Sequence, residues 1–247
     1  MQRKTTGIKN TLVILVWNEI GSIRKLFEQI PLDSVDEAIV IDPGSDDGTV
    51  EFLSGRGLPV YFQERSGRGN AFMEGLRRAK GENIIFFSGD GNEDPKDIPK
   101  IVRYLEMGND LVIAGRNIFR DSETDDSDDP IRIRKFFNIA CSLLVRIIWK
   151  SGVRDAINGF RGMKRDAMER MCLDAPKHEI EFQSTIRASK LGMKIKEFPT
   201  KELCRMGGPR KPTAGTLQLA CSFLRFFAKE LIKGREFAAG NRQKCAK

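Results

Sequence analysis

Residues 38–49 read AIVIDPGSDDGT, an apolar run followed at once by carboxylates and glycines. The apolar part, Ala38–Ile41, is short, contains β-branched residues and is bounded by Asp, Pro and Gly, which is typical of a buried strand. The pattern recurs at residues 83–95, NIIFFSGDGNEDP, where Asn83–Phe87 precede a second acidic loop. Ligands bind beyond the carboxyl ends of strands in an open parallel sheet. The two loops therefore predict a binding site at one sheet edge.

Strands and helices alternate through the first 115 residues. The predicted strands are residues 11–16, 38–41, 60–63, 83–87 and 110–114, and the predicted helices lie near residues 23–29, from 48 onward, 71–79 and 98–107. This alternation predicts an α/β fold with a mostly parallel, doubly wound sheet and helices on both faces.

The pattern changes after residue 115. The acidic run Asp121–Asp129 predicts an exposed loop rather than a calcium site, because it lacks the glycine and closing glutamate of an EF-hand. Further helices are predicted at residues 131–150, 181–191 and 217–233, and a strand at 194–198. The first of these helices is predicted to be amphipathic, with one apolar face formed by Phe136, Phe137, Ala140, Leu144, Ile147 and Ile148.

Composition narrows the class of protein. The 247 residues are 40% hydrophobic and 31% charged, as in soluble globular proteins, and no uninterrupted apolar stretch is long enough to span a bilayer. The net charge of +8 favours an anionic partner without choosing among nucleic acid, a phospholipid surface and a phosphorylated substrate. Five scattered cysteines, with no CxxC pair, indicate reduced thiols in a cytoplasmic protein.

Three loops carry candidate chemistry. Asp42 and the turn Gly44–Thr49 are suited to a base or ribose, although Asp46 or Asp47 could equally be the cap of a helix. Residues 65–71, RSGRGNA, form either a phosphate cradle or an ordinary basic turn.

The third loop is Ser88–Asn92. Asp90 and Asn92 offer oxygen ligands to a divalent cation that also holds a diphosphate. The alternative is a simple Asp/Asn turn.

Several segments occur in an order typical of one family. They are Val16–Glu19, Asp42–Thr49 (D-x-G-S-x-D-G-T), Gly67–Ala71 (G-R-G-x-A), Ser88–Asp90 (S-x-D) and Gly115–Arg116. Together they resemble glycosyltransferase family 2, which has the GT-A fold. Asp155–Arg161 (D-x-x-x-G-F-R) and the basic loop Arg205–Lys211 are similar to its dolichol- and polyprenyl-phosphate sugar transferase branch, which includes dolichol-phosphate mannosyltransferase. The resemblance covers about residues 10–212.

The resemblance implies a role for each matching residue. The implied donor-binding residues are Trp17, Glu19, Asp42, Gly44, Ser45, Arg68, Asp90, Gly115 and Arg116. The implied acceptor-binding residues are Asn158, Arg161, Arg205, Arg210 and Lys211. It implies Mg²⁺ or Mn²⁺ as cofactor, with Asp90, Asn92 and Ser88 as candidate ligands.

Two positions depart from the family pattern. In one alignment Ser88 replaces the first Asp of the metal-binding DxD motif, and in the other Asn92 replaces the second, so one carboxylate is missing in either case. Pro43 replaces the second Asp of the usual DDGS. We therefore expect reduced metal affinity and an unusual donor preference.

The candidate catalytic residues are Asp90 and Glu181, which the charge changes of the reaction suggest, and Arg161, which the resemblance implies. The departing diphosphate gains negative charge, which a cation at Asp90 and nearby basic groups would stabilise. A hydroxyl acceptor needs a base, for which Glu179 and Glu181 are candidates, whereas a lipid phosphate needs none. The alternative for both glutamates is a helix start with favourable dipole placement.

The predicted function is transfer of a sugar, with inversion, from a nucleoside diphosphate donor such as GDP-mannose or UDP-glucose to a polyprenyl phosphate. The alternatives are a soluble relative with a hydroxyl or small phosphorylated acceptor, and a non-catalytic nucleotide-sugar-binding relative. Nucleic acid is not an expected partner, because it would explain none of the carboxylate loops.

The expected organisation is a transferase domain over residues 1–212 and a separate C-terminal element over 213–247. The first is divided into a nucleotide-sugar half, 1–115, and an acceptor half, 116–212. In the second, the residues Phe223, Leu224, Phe226, Phe227 and Ile232 alternate with Arg225, Lys229, Lys233 and Arg235. This amphipathic helix predicts peripheral contact with the cytoplasmic face of a membrane, with ordinary core packing as the alternative.

Overall fold

The computed structural model describes residues 7–116, 133–206 and 216–239. The strands in these ranges are β1 Asn10–Leu15, β2 Glu37–Asp42, β3 Val60–Phe62, β4 Asn83–Ser88, β5 Leu111–Arg116, β6 Arg161–Lys164 and β7 Ile195–Thr200. The helices are α1 Ile20–Leu26, α2 Thr49–Gly55, α3 Arg68–Arg78, α4 Ile98–Glu106, α5 Ile133–Trp149, α6 Arg165–Met171, α7 Glu179–Lys190, α8 Thr216–Lys233 and α9 Glu236–Ala239.

The strands form one sheet in the order β3-β2-β1-β4-β6-β5-β7. β6 pairs antiparallel with both β4 and β5, whereas the other neighbouring strands pair in parallel. The mostly parallel, doubly wound sheet predicted from the sequence is therefore confirmed. The carboxyl ends of β1, β2, β4 and β5 meet at one edge of the sheet, where β6 begins.

Both faces of the sheet are covered, which explains why its central strands are apolar without alternation. Every residue of β1 and β4 is buried. On one face, Phe72 of α3 stacks on Phe86 of β4 with ring centroids 4.0 Å apart. On the other face, α1, α2 and α4 contribute Ile23, Leu53 and Ile101 to a second apolar cluster. Apolar packing on both faces of the sheet therefore holds the strand ends in position.

β6 and α6 were not expected from the sequence. β6 has only four residues, of which both ends are basic, so its pattern does not resemble a buried strand. Gly162 permits it to lie in the sheet, since a Cβ atom there would be 2.4 Å from Cγ2 of Ile101 in α4. The strand therefore depends on close packing between α4 and the sheet.

Helices α5 and α8 occur where the sequence predicts them, but their faces differ from the prediction. In α5, Cys141 and Val145 are buried, whereas Phe136 and Ile147 are 70% and 73% exposed. In α8, Phe223 and Phe227 are buried against Phe182 of α7, so the core-packing alternative holds for these two residues. No helix within the described ranges is long and apolar enough to cross a membrane.

Candidate active site

The loop after β2 is built around a buried carboxylate. Oδ1 of Asp42 accepts hydrogen bonds from the backbone N–H groups of Gly44 and Ser45, both at 2.6 Å, and Oδ2 accepts the Ser45 hydroxyl at 2.5 Å. Gly44 has a φ of +111°, a conformation that favours glycine. Asp42 is fully buried, so it shapes the turn, and the exposed surface of the loop comes from its neighbours.

Hydrogen bonds join the loop after β1 to this turn. The N–H of Asn18 donates to Oγ of Ser45 at 2.8 Å, and Oδ1 of Asn18 accepts the N–H of Asp46 at 2.9 Å. The adjacent Trp17 side chain is about half exposed and is therefore available at the edge of the site.

The Asp47 carboxylate accepts hydrogen bonds from the first residues of two helices. Its Oδ2 accepts the N–H of Ile20, the first residue of α1, and its Oδ1 accepts the N–H of Thr49, the first residue of α2, both at 3.0 Å. Partial burial acts to raise the pKa of Asp47, but the bonds from Thr49 and Ile20 outweigh it and lower the pKa. The capping alternative for Asp47 therefore holds, alongside the shaping of the turn by Asp42.

Arg68, at the start of α3, lies at the centre of the site. Its Nε donates to Oε1 of Glu181 at the start of α7, and its Nη1 donates to the Ser88 hydroxyl at 3.1 Å. Its Nη2 is 3.9 Å from Oε1 of Glu93. Gly159 makes room for the guanidinium, because a Cβ atom there would be 1.9 Å from Nη2. The arginine thus joins α3, α7 and the end of β4.

Glu93 is a member of the site that the sequence analysis did not select. Its Oε2 accepts the N–H of Ser88 at 2.7 Å. Burial raises the pKa of Glu93 to about 7, against the lowering effect of Arg68 and with a further rise from the negative charge of Asp90. Its position directly after Asn92 in the acidic loop is the one sequence signal that could have identified it.

Asp90 and Asn92 lie next to each other in the loop after β4. Oδ1 of Asp90 accepts the N–H of Asn92 at 3.2 Å, which is the Asp/Asn turn that was the alternative to a metal site. Oδ1 of Asn92 is buried without a hydrogen-bond partner. No group of three or more His, Cys, Asp or Glu side chains in the described part of the chain is arranged to hold a metal. Within these ranges, carboxylate, imidazole and thiol groups alone therefore do not complete a cation site at this loop.

Arg205 reaches across the site from the segment after β7. It donates to Oε1 of Glu19, and its Nη1 is 3.8 Å from Oδ2 of Asp90. Backbone bonds hold this segment beside the β4 loop, since the N–H of Leu203 donates to the Asn92 carbonyl at 2.8 Å. Burial raises the pKa of Glu19, which Arg205 opposes. Arg210 and Lys211 lie outside the described residues.

Arg161 is buried completely rather than facing an acceptor. Its guanidinium donates to the Asn158 carbonyl, to the Glu181 carbonyl at 2.7 Å and to the Ser184 hydroxyl at 2.6 Å. Burial lowers the pKa of Arg161 to about 10, which Glu181 partly offsets. In this conformation an acceptor cannot touch the guanidinium. The placement favours positioning of α7, and so of Glu181, over direct contact.

The remaining predicted residues form a separate group at the end of β5. Arg116 donates through Nε to Oδ2 of the buried Asp155 at 2.8 Å and through Nη2 to Oδ1 at 3.2 Å. Gly115 packs against Glu197, with which any Cβ atom would collide. The Asn158 amide donates to the carbonyl of Ala114. These contacts bring the D-x-x-x-G-F-R segment to the same edge of the sheet.

Three buried polar atoms of the site lack partners. They are Oδ1 of Asn92, Oε2 of Glu181 and Nε of Arg205, and within the described ranges no other buried side-chain nitrogen or oxygen is unpartnered. Buried polar groups are normally hydrogen bonded, so two free acceptors and a free donor in one cluster indicate a place for a polar ligand.

Comparisons with known proteins agree with this architecture. The sequence model described as glycosyl transferase family 2 matches residues 11–172, which is more than half of the chain. A relative from Methanocaldococcus jannaschii, MJ1222, is 26% identical over 78% of this chain and 80% of its own length. Glycosyltransferase AglJ of Haloferax volcanii is 27% identical over 78% of this chain and 62% of its own length.

The fold also matches solved structures. Glucosyl-3-phosphoglycerate synthase from Mycobacterium tuberculosis, in complex with Mn²⁺ and UDP-glucose, superposes with a TM-score of 0.69. The match is 23% identical and covers 93% of this chain and 80% of that chain. The expected GT-A fold is therefore confirmed. With the family match over residues 11–172, the chain belongs to glycosyl transferase family 2.

Proposed function

We propose that the chain transfers a sugar, with inversion, from a nucleoside diphosphate donor to a hydroxyl group of a small phosphorylated acceptor. The observation that carries this proposal is the free Oε2 of Glu181. This oxygen is buried and unpartnered, whereas Oε1 is held by Arg68. A fixed carboxylate with one free oxygen is suited to accept the proton of an attacking hydroxyl.

The charge balance of the site supports a hydroxyl over a phosphate as the attacking group. Four carboxylates, those of Glu19, Asp90, Glu93 and Glu181, are accompanied in the contact network by Arg68 and Arg205. A phosphate oxygen placed beside Glu181 would add negative charge to an acidic cluster. The phosphate of the acceptor would instead bind further out, where Arg205, Arg210 and Lys211 are the candidate partners. The solved synthase was also crystallised with phosphoglyceric acid.

The donor would bind along the ends of β1, β2 and β5. The joined loops bring Trp17 and Gly44–Ser45 to this edge, where the half-exposed aromatic face of Trp17 is suited to a base. Arg68 is placed to meet the diphosphate. UDP-glucose is the first donor to test, because the solved synthase was crystallised with it, and GDP-mannose is the second.

The residues present fit a divalent cation when the diphosphate supplies further oxygens. Asp90 and Asn92 would hold the ion, because the side-chain Oδ1 of Asn92 is buried without a partner and Asp90 is the carboxylate beside it. Ser88 fits less well, since its hydroxyl accepts from Arg68. Mg²⁺ or Mn²⁺ there would neutralise charge on the departing diphosphate.

In the proposed reaction, the acceptor oxygen forms a bond to the anomeric carbon as the bond from that carbon to the diphosphate breaks. The acceptor proton passes to Oε2 of Glu181, and the electron pair leaves with the diphosphate. Arg68 stabilises the diphosphate and orients Glu181. Arg161 supports the position of Glu181 through its hydrogen bonds to the Glu181 carbonyl and the Ser184 hydroxyl.

A polyprenyl phosphate acceptor is the second candidate. One observation favours it, the exposed apolar and cationic residues of α5 and α8, such as Ile147 and Lys229. The free thiols of Cys141 and Cys221 support a cytoplasmic site of action for either acceptor.

An acceptor panel tests the proposal. Nucleoside diphosphate release from UDP-glucose and GDP-mannose would be measured with Mg²⁺ or Mn²⁺ and with 3-phosphoglycerate, a phosphate-free sugar alcohol or a polyprenyl phosphate. We expect release that depends on the small phosphorylated hydroxyl acceptor. Release only with the lipid phosphate would replace the proposal with the second candidate. Donor binding without release in any arm would indicate a non-catalytic relative.

A further inference from the structure

Helix α5 exposes an apolar stripe. Phe136, Ala140, Leu143 and Ile147 are all exposed, and their spacing of four, three and four residues places them along one side of the helix. The opposite side carries the buried Cys141 and Val145. A single exposed leucine would need no explanation, but an aligned series of this kind does.

Helix α8 exposes a second stripe. Leu224, Ala228 and Leu231 are spaced by four and three residues, and Ile232 beside them is 86% exposed. Phe223 and Phe227 occupy the buried side of α8. Both helices therefore have an apolar face toward the core and another toward solvent.

The two stripes lie on neighbouring helices. Phe137 and Phe223 contact each other edge to face with ring centroids 5.5 Å apart, and Trp149 and Phe227 do so at 5.8 Å. These contacts set α5 and α8 side by side with their buried faces inward. The exposed apolar residues of the two neighbouring helices are together called the α5/α8 surface, which consists of Phe136, Ala140, Leu143, Ile147, Leu224, Ala228, Leu231 and Ile232.

The exposed charged residues along these two stripes are all basic. Arg146 and Lys150 flank the α5 stripe, and Arg225 and Lys229 flank the α8 stripe, all of them exposed. The sequence of α5 contains no acidic residue, and α8 contains only Glu230, which is buried and paired with Arg187. An open groove of about 380 Å³ at the end of α5 combines Leu143 and Ile147 with Arg146 and Lys150.

We propose that the α5/α8 surface docks on an anionic phospholipid bilayer, with the helices lying in the interface. Apolar side chains bordered by cations match acyl chains bordered by lipid phosphates. A second copy of the chain fits less well, since a symmetric pair would bring Arg225 and Lys229 toward their own copies. Docking on a bilayer does not depend on the proposed acceptor.

The surface is joined to the candidate site through α7. The Ser222 hydroxyl of α8 donates to Oε1 of Glu179, two residues before Glu181. Docking would therefore place the bilayer against the helices that support the start of α7, and the site would work close to the membrane plane.

Vesicle flotation of the full chain tests the proposal without donor or acceptor. We expect binding to phosphatidylcholine vesicles that contain about one-third phosphatidylglycerol, and little binding to phosphatidylcholine alone. Raising the salt from about 0.1 M to about 1 M should release much of the bound protein. No flotation with the anionic vesicles at low salt would overturn the proposal.

Two variants locate the contact. Ile147→Ser with Ile232→Ser should weaken vesicle binding about tenfold or more, whereas Met107→Ser, an exposed apolar residue at the end of α4, should leave it unchanged. Lys229→Glu should weaken binding to anionic vesicles, and Lys25→Glu on α1 should not. Since all these side chains are exposed, thermal unfolding should match the parent chain. Equal weakening by the control variants, or a solution dimer dispersed by the isoleucine pair, would contradict membrane docking.

Discussion

At the scale of single residues, Glu181 combines a fixed position with a free oxygen. Arg68 holds Oε1 while Oε2 has no partner. We predict that Glu181→Gln lowers kcat about 10²- to 10⁴-fold, because the amide keeps the shape and the bond to Arg68 but cannot take a proton. Donor affinity, measured by calorimetry, should stay close to that of the parent chain.

Glu179→Gln is the matched control for this prediction. Glu179 lies two residues earlier in the same helix, is also buried and bonds to Ser222 rather than to the site. Its replacement should leave kcat nearly unchanged. If both variants keep parental kcat with a hydroxyl acceptor, Glu181 is not the base.

The second prediction concerns Asp90. Asp90→Asn should raise the dissociation constant for Mn²⁺, measured with nucleoside diphosphate present, about tenfold or more, because Asp90 is the carboxylate proposed to hold the ion together with Asn92. Turnover should fall about 10²-fold. Asp94→Asn is the control, since Asp94 caps a short turn through the N–H of Lys96. Parental Mn²⁺ affinity in Asp90→Asn, or full activity in excess chelator, would exclude this site.

The sequence predicts the location of these residues better than the direction of their side chains. Asp42, Asp90 and Arg68 follow recognisable strand ends or turns, so their arrival at one edge is predictable. Arg161 is different, because its partners Ser184 and Thr185 come from a helix more than twenty residues later. Glu93 likewise stands among neighbouring carboxylates, and apart from its position after Asn92 no local pattern shows that its side chain turns inward.

At the scale of elements, the local sequence pattern predicts the long apolar strands. It fails for elements that form only because of contacts with distant parts of the chain. β4 is a six-residue buried run, whereas β6 is held by hydrogen bonds to strands on both sides. The same limit explains the faces of α5. Its apolar residues occur on more than one side, so the sequence alone could not tell which of them would meet α7 and α8.

The start of α3 gives a prediction at this scale. Gly69 approaches residues 175–176 so closely that a Cβ atom would be 1.8 Å from the Ala175 carbonyl oxygen. Gly69→Ala should lower the free energy of unfolding by about 1–3 kcal/mol and weaken donor binding, because the adjacent Arg68 must move. Denaturant unfolding measures the first effect and calorimetry the second.

Gly55→Ala supplies the comparison for Gly69. Gly55 is also helical, but no atom lies within 4 Å of the position that a Cβ atom would take there. This change should be neutral or stabilising by up to about 1 kcal/mol. Equal stability of the two variants would show that the contact at Gly69 relaxes without cost.

At the scale of the whole molecule, a buried ion network joins α7 to α8. Oε1 of Glu230 is 2.7 Å from Nη2 of Arg187, and its Oε2 is 3.1 Å from Nζ of Lys190. All three side chains are buried. The helix assigned from sequence to the separate element 213–247 is thus connected to the helix that carries Glu181. Loss of the Glu230 charge would leave Lys190 without a carboxylate partner and Arg187 with Asp174 alone.

This network predicts how stability depends on pH. Burial acts to raise the pKa of Glu230, but the hydrogen bond and charge of Arg187, with Lys190, outweigh it and hold the pKa below its ordinary 4.5. The folded protein therefore binds fewer protons at this site than the unfolded chain. The resulting stabilisation is fully present above about pH 4.5 and is lost as the pH falls through the lower folded value.

The substitution Glu230→Gln should isolate the contribution of the Glu230 charge to the free energy of unfolding. At neutral pH we expect the free energy of unfolding to fall by about 3–5 kcal/mol, because Lys190 stays buried without a carboxylate partner and Arg187 keeps only the half-exposed Asp174. Below about pH 4.5 the difference from the parent chain should shrink, since the parent Glu230 becomes protonated as well. Denaturant unfolding of both proteins from pH 7 to pH 3 measures the difference. A gap that stays constant or widens in acid would mean that Glu230 does not stabilise the fold through its charge.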